Sequence, residues 1–225
     1  MDAELRASVI IDYQNVHLTG HDLFASAKNW PRHETLIDPL RFANQLIATR
    51  NKRQRPGVGQ PAVLRKVLVY RGQPSGEHDP DGYNRSQAQK AQWERDQRVT
   101  VTLRPLKYHY QRHVTGRPAH DINGVKIPIG RPQEKGVDVL CALATVREAR
   151  NPATDLVILA TSDSDLVPAL DEVRISGSAK VETFCWYDAQ TKTKFQLHPT
   201  DRSRPLWNTQ LGEMEFRASW DPTRY

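Results

Sequence analysis

Long hydrophobic runs are missing from this 225-residue sequence. Its apolar stretches, such as Leu156 to Ala160, have the length of a β-strand, whereas a helix crossing a bilayer needs about 20 apolar residues. Neither a membrane span nor a signal-peptide core is therefore expected. Cysteine is nearly absent as well. Cys141 and Cys185 stand far apart with no CxxC pair, which argues against a disulfide scaffold or a zinc ribbon and suits a reducing cytoplasm. Cys141 lies on an apolar helix face and reads as core, not nucleophile. No histidine–cysteine cluster of zinc-ligand spacing occurs, and there is no internal repeat or low-complexity tract. Acidic charge is in deficit: 26 Asp and Glu against 32 Lys and Arg leave a net charge of +6, which points to a polyanionic partner. What remains is a 38% hydrophobic content, enough for one α/β domain with a full core.

The stretch from Asp155 to Pro168 organises the chain. Leu156 to Ala160 reads as a strand buried on both faces, as in a parallel sheet. It ends at Thr161-Ser162-Asp163-Ser164-Asp165, and a helix follows with Pro168 in its first turn, a stripe of Leu166, Ala169, Leu170 and Val173, and Gly177 as its stop. One aspartate at such a place is an ordinary helix cap. Two directly after a buried strand raise the question of whether further carboxylates converge there, since open α/β sheets bind ligands at the carboxyl ends of their strands.

Other segments supply them. Ala7 to Ile11 is a short apolar strand that ends at Asp12, with Asn15 three residues on; an Asx turn is the plain alternative. His17 to Arg32 reads as a loop or irregular helix. Asp38-Pro39 caps a helix to about Thr49, and Arg50, Lys52, Arg53 and Arg55 then form a basic loop able to touch phosphate. Val63 to Arg71 and Arg98 to Leu103 are strands, with a polar helix from Tyr83 to Asp96 between them. Glu134-Lys135-Gly136-Val137-Asp138 opens a helix whose apolar face carries Val137, Leu140, Cys141 and Ala144. Ala179 to Phe184 is the last of five core strands. Alternating strands and helices predict a doubly wound α/β fold, with Asp12, Asp138, Asp163 and Asp165 at one sheet edge.

Between the third strand and the Asp138 helix the alternation is interrupted. Lys107 to His113 alternates as a strand does, and Asn123-Gly124 is a hairpin-turn signal, so a β-hairpin is expected at about residues 105–131. It carries Lys107, Arg112, Arg117, Lys126 and Arg131 with Tyr108 and Tyr110 interleaved, a composition that suits single-stranded nucleic acid, or an edge hairpin kept soluble by charge. Arg85 and Lys135, at two helix starts, are further phosphate candidates. Residues 191–225 read as an extension packed on a domain of residues 1–190, with a short helix placing Met214 and Phe216 against it.

Carboxylates held together repel, and a divalent cation removes the conflict. Magnesium prefers oxygen ligands, keeps several waters and supports phosphodiester hydrolysis, for which no serine or cysteine nucleophile is needed. Asp12 with Asn15, Lys135-Gly136-Val137-Asp138, and Thr161-Ser162-Asp163-Ser164-Asp165 with Leu166 and Pro168 together resemble the NYN domain, a branch of the PIN-like nucleases. The resemblance runs from about Ser8 to Trp186. It implies a Rossmann-like, PIN-type three-layer fold and a Mg2+- or Mn2+-dependent endoribonuclease. On that resemblance the metal-binding acids are Asp12, Asp138, Asp163 and Asp165, with Asn15 orienting water or phosphate; helix capping alone would also explain Asp165. Two other readings compete: an RNA-binding module of the same fold, and a magnesium-dependent phosphatase. The second would favour a DxD motif directly after the first strand, where this chain has Asp12-Tyr13-Gln14.

Overall fold

The structure is a computed structural model that describes residues 4–54 and 59–225. Strand β1 (Leu5–Asp12) leads into helix α1 (Tyr13–Phe24), two short 3-10 turns and helix α2 (Pro39–Arg53). There follow β2 (Ala62–Gln73), α3 (Pro80–Trp93), β3 (Val99–Pro105), the short strands β4 (Lys107–Tyr110) and β5 (Pro128–Gln133), α4 (Val137–Ala149) and β6 (Leu156–Ala160). The chain ends with α5 (Val167–Ser176), β7 (Lys180–Asp188), β8 (Thr193–Lys194), β9 (Asn208–Leu211) and α6 (Glu213–Ala218). No helix among the described residues is long and apolar enough to cross a membrane.

Seven strands form one sheet in the order β3-β2-β1-β6-β7-β8, with β9 also on β7. All pairings are parallel except that of β8 with β7. Alternate residues face opposite sides of a strand. Val9, Ile11, Val67, Val69 and Ile158 therefore pack with Val16 of α1, Phe42 and Leu46 of α2 and Phe216 of α6. Ile10, Leu68, Val157 and Leu159 meet Cys141 of α4 and Leu170 of α5. The result is a mostly parallel sheet between two helical layers.

The five strands expected from apolar runs are all present, but five is not the full count. β8 and β9 are added by the segment after residue 190. Only Thr209 and Leu211 are buried in β9, too few apolar residues to mark a strand in sequence. The same segment packs through Phe216, which is fully buried, whereas Met214 is 80% exposed. Residues two apart do not share a helix face, so only one of the pair can point inward.

Three more local expectations need correction. The stretch His17 to Arg32, expected to be a loop or irregular helix, is regular helix α1 as far as Phe24 and only then irregular, with 3-10 turns at Ser26–Lys28 and Arg32–Glu34. Its sequence is polar and carries Gly20, which weakens the helical signal. Packing compensates, because a Cβ at Gly20 would lie 2.7 Å from the Phe216 ring and 2.9 Å from Trp186 Nε1. Arg50 is not a loop cation. It lies inside α2, 3% exposed, and donates to both Glu182 carboxylate oxygens at 3.0 and 2.8 Å. Lys52 and Arg53 end the same helix, and Arg55 lies outside the described residues.

The inserted segment is not a simple hairpin either. β4 and β5 pair antiparallel, but the chain between them folds back twice. Bridges join Arg112 to Pro118 and His120 to Lys126, and turns close at Gly116 and Gly124, with φ of 78° and 80°. Asn123-Gly124 makes the second of these turns; the first, at Thr115-Gly116, has no such dipeptide signal. We refer to residues 107–133 as the finger.

Candidate active site

The sheet order sets the location. From the central β1 the chain winds outward through β2 and β3, then returns across α4 to β6 on the other side of β1. The winding reverses between β1 and β6, and their carboxyl ends form the crevice where open α/β sheets bind ligands. Ile11 is in register with Ala160, so Asp12 and Thr161 emerge side by side.

Hydrogen bonds join the two strand ends. Asp12 caps α1, its Oδ1 accepting from the Asn15 backbone N–H at 3.4 Å, and its Oδ2 accepts from the Thr161 hydroxyl at 3.1 Å. Asn15 lies in the first turn of α1, which aims its side chain across the gap. Its Oδ1 accepts from both the Ser162 N–H, at 2.8 Å, and the Ser162 hydroxyl, at 2.9 Å. Asp163 caps the 3-10 turn that precedes α5 by accepting from the Asp165 N–H at 3.0 Å. Asp12, Asn15 and Asp163 thus share one bonded constellation with Thr161 and Ser162. Asp165 is exposed and contributes only its backbone to that cap.

A further carboxylate, not singled out in the sequence, joins them. Glu134 follows β5 directly, is partly buried, and accepts from the Gly72 N–H at the end of β2. Burial pushes its carboxyl up, and the charge of Asp138 adds to the rise. Asp12 is 6% exposed, and its carboxyl is pushed up to about 6, first by burial and then by the charges of Glu134 and Asp163. Asp12, Glu134, Asp138 and Asp163 all act on the buried Cys141 thiol, which desolvation and these four charges drive far above its usual value. Cys141 is therefore core, as its helix face indicates. No sequence signal marks Glu134, since its place depends on its bond from Gly72, 62 residues away. Arg71, also at the end of β2, was missed too. Its guanidinium lies 4.8 Å from the Tyr13 ring centroid and bonds Gln89, and its charge lowers the Glu134 carboxyl.

The donor set is oxygen only. Asp12 accepts hydrogen bonds from neutral groups and has no ion-pair partner among the described residues. Such donors fit a hard divalent cation that keeps much of its water, and do not fit zinc. Among the described residues no group of three or more His, Cys, Asp or Glu side chains is placed to hold a metal ion, so any ion would rest on one or two carboxylates, as magnesium can.

The basic candidates fall into separate places. Lys107, Arg112, Lys126 and Arg131 are exposed on the finger. Lys135 stands at its base, where its carbonyl accepts from Arg104 Nε at 2.9 Å. Arg85 is exposed on α3 and bonds to none of them.

No curated protein matches the chain significantly. Among solved structures, a protein of unknown function from Vibrio parahaemolyticus is 19% identical over 82% of this chain and 83% of its own, with a TM-score of 0.43; that likeness is too distant to support an argument. The profile of the NYN domain matches residues 6–201, which takes in β1, every acid at the crevice and β7. With the family's profile spanning most of the sequence over a mostly parallel α/β sheet, the chain belongs to the NYN domain family of PIN-like nucleases.

Proposed function

We propose that the protein is a metal-dependent endoribonuclease that hydrolyses RNA phosphodiester bonds at the crevice between β1 and β6. The observation that carries this reading is the buried Asp12 at the carboxyl end of β1, which has no basic partner among the described residues and is bonded through Thr161 to the loop that carries Asp163, at the reversal point of the sheet. Asp12, Asp138 and Asp163 would hold Mg2+ or Mn2+, with Glu134 beside them. When bound, the ion neutralises charge developing on the phosphate and lowers the pKa of an attacking water. The chain's own residues fix the receiving geometry. Thr161 holds one Asp12 oxygen, and Asn15 locks the loop after β6 through its two bonds from Ser162. The Oδ1 of Asp163 accepts from the Asp165 N–H of its own turn, which restrains the side chain. Asp165, exposed on the rim, is not assigned a direct role. The excess of cations suits RNA as the polyanion.

The test is cleavage of labelled single-stranded RNA with Mg2+ or Mn2+, with chelator, and with Asp163→Asn. Asparagine keeps the cap, so the variant should fold. Metal-dependent cleavage that falls by about a hundredfold or more in the variant is expected. RNA binding without cleavage under either metal would make the protein an RNA-binding module of this fold. Turnover of p-nitrophenyl phosphate but not RNA would make it a phosphatase.

A further inference from the structure

The finger has no core to justify itself. Of residues 107–133 only Ala119 is buried, at 5% exposure, while Val114 and Ile122 are fully exposed at its two turns. It carries five cations and one carboxylate, so +4 of the chain's net +6 lies in this one segment. None of the five pairs with an acid among the described residues. Asp121, the one carboxylate, accepts from the N–H groups of Asn123 and Val125 within its turn. Uncompensated charge concentrated on an exposed ribbon is what a polyanion-binding surface requires.

The finger is tied to the acidic crevice at both ends. Its entry follows β3 directly, and its exit runs from β5 into Glu134 and then α4. Across this base Arg104 donates to the Lys135 carbonyl and the Gly72 N–H donates to Glu134, and the loop after β2 braces it: the Ser75 N–H donates to Tyr108 Oη, and His78 packs at a tilt on Tyr108 with ring centroids 4.8 Å apart and bonds Tyr110 Oη at 3.2 Å. The two tyrosine rings are thus held in place. Beside them lies a concavity of about 580 Å³ lined by Lys107, Tyr108, His109, Tyr110, Arg112 and Ile129. That size lies within the range of small-ligand sites, and the lining pairs cations with ring faces. Lys126 Nζ sits 5.4 Å above the Tyr110 ring on the same structure.

We propose that the finger is a grip for single-stranded RNA beside the cleavage site, taking nucleotides into the Tyr108–Tyr110 concavity with flanking phosphates on Lys107, Arg112 and Lys126. It rests on the ribonuclease reading above only for the identity of the strand. Single strands are favoured over duplex by shape. A two-stranded ribbon can enter the major groove of B-form DNA, but the A-form RNA major groove is too deep and narrow for it. Unstacked bases, in contrast, meet ring faces and exposed aliphatic side chains without any groove.

The experiment is equilibrium binding of a labelled oligouridylate in chelator, across a salt series, with wild type, Asp163→Asn and the triple variant Lys107→Gln/Arg112→Gln/Lys126→Gln. Wild type and Asp163→Asn are expected to bind alike. Each phosphate contact contributes about 0.7 to the salt slope on a single strand, so the triple variant should lose about 2 in slope and bind about a hundredfold more weakly near 0.1 M salt. Its melting temperature should not change, because all three side chains are exposed. Wild-type affinity and slope in the triple variant would overturn the proposal. So would equal, finger-dependent binding of the duplex made by annealing a complement, or finger-dependent binding of phosphatidylserine vesicles without binding of RNA. Cleavage that fails while finger-dependent binding persists refutes the nuclease reading and leaves the grip standing. Cleavage that persists with finger-independent binding refutes the grip alone.

Discussion

Replacing Asp12 by asparagine should abolish cleavage yet make the metal-free protein more stable. The Asp12 carboxyl rises from 3.8 to about 6 on folding, because the group is buried and faces the charges of Glu134 and Asp163. A folded-state pKa above the unfolded one means that folding favours the protonated form. The penalty is absent below about pH 4, grows between pH 4 and 6, and is fully present above 6. Its size is roughly 3 kcal/mol at 1.36 kcal/mol per unit. Asparagine removes the charge but keeps one acceptor oxygen where Asp12 uses two, one for Thr161 and one for the Asn15 N–H. Loss of one such bond costs about 1 kcal/mol. The net gain should therefore be about 1–2 kcal/mol at pH 8, turning to a small loss at pH 4. Urea denaturation in chelator at the two pH values reads it directly. With Mn2+ added, only wild type should gain stability, since an ion that binds the native state alone stabilises it by mass action. A variant destabilised by more than about 1 kcal/mol at pH 8, or a difference that does not vary with pH, would refute the electrostatic account of this site.

Two other perturbations test the frame. Arg50→Met leaves Glu182 buried without its partner and should cost about 3–5 kcal/mol in denaturant melts, whereas Arg50→Met/Glu182→Leu should recover most of that loss; RNA affinity should not change in either, because this arginine is not at the surface. Gly72→Ala would drive a methyl group into Leu106 and the Glu134 carboxylate. It should reduce cleavage more than it lowers the melting temperature, by displacing Glu134 and the base of the finger together.

Much of this molecule was legible in one dimension. The runs Val9 to Ile11, Val67 to Val69 and Leu156 to Ala160 became the central strands, because a strand buried on both faces is continuously apolar, while the edge strand β3 alternates buried Val99 and Val101 with exposed Thr100. The places of Asp12 and Asp163 were legible for the same reason: the first apolar run stops at Asp12, and the second, ending at Ala160, gives way to Thr161, Ser162 and Asp163. The family motifs lie in those same segments.

Other features depend on partners distant in sequence. Glu134 enters the acidic group because it bonds Gly72, 62 residues away, and no local pattern encodes that. Arg50 left the expected basic loop because Glu182, 132 residues on, takes its guanidinium into the core. Tyr13 to Phe24 is a helix because Gly20 lets it approach the rings of Phe216 and Trp186, which arrive from the far end of the chain. The sequence by itself determined the order of strands and helices, the acids at their ends and the excess of cations, because periodicity, capping and charge are local properties. Only the tertiary structure decided which of the acids share one crevice, which cations stay in water and that the finger rises from that crevice's edge. Burial, desolvation and like-charge repulsion arise only when distant segments are packed together.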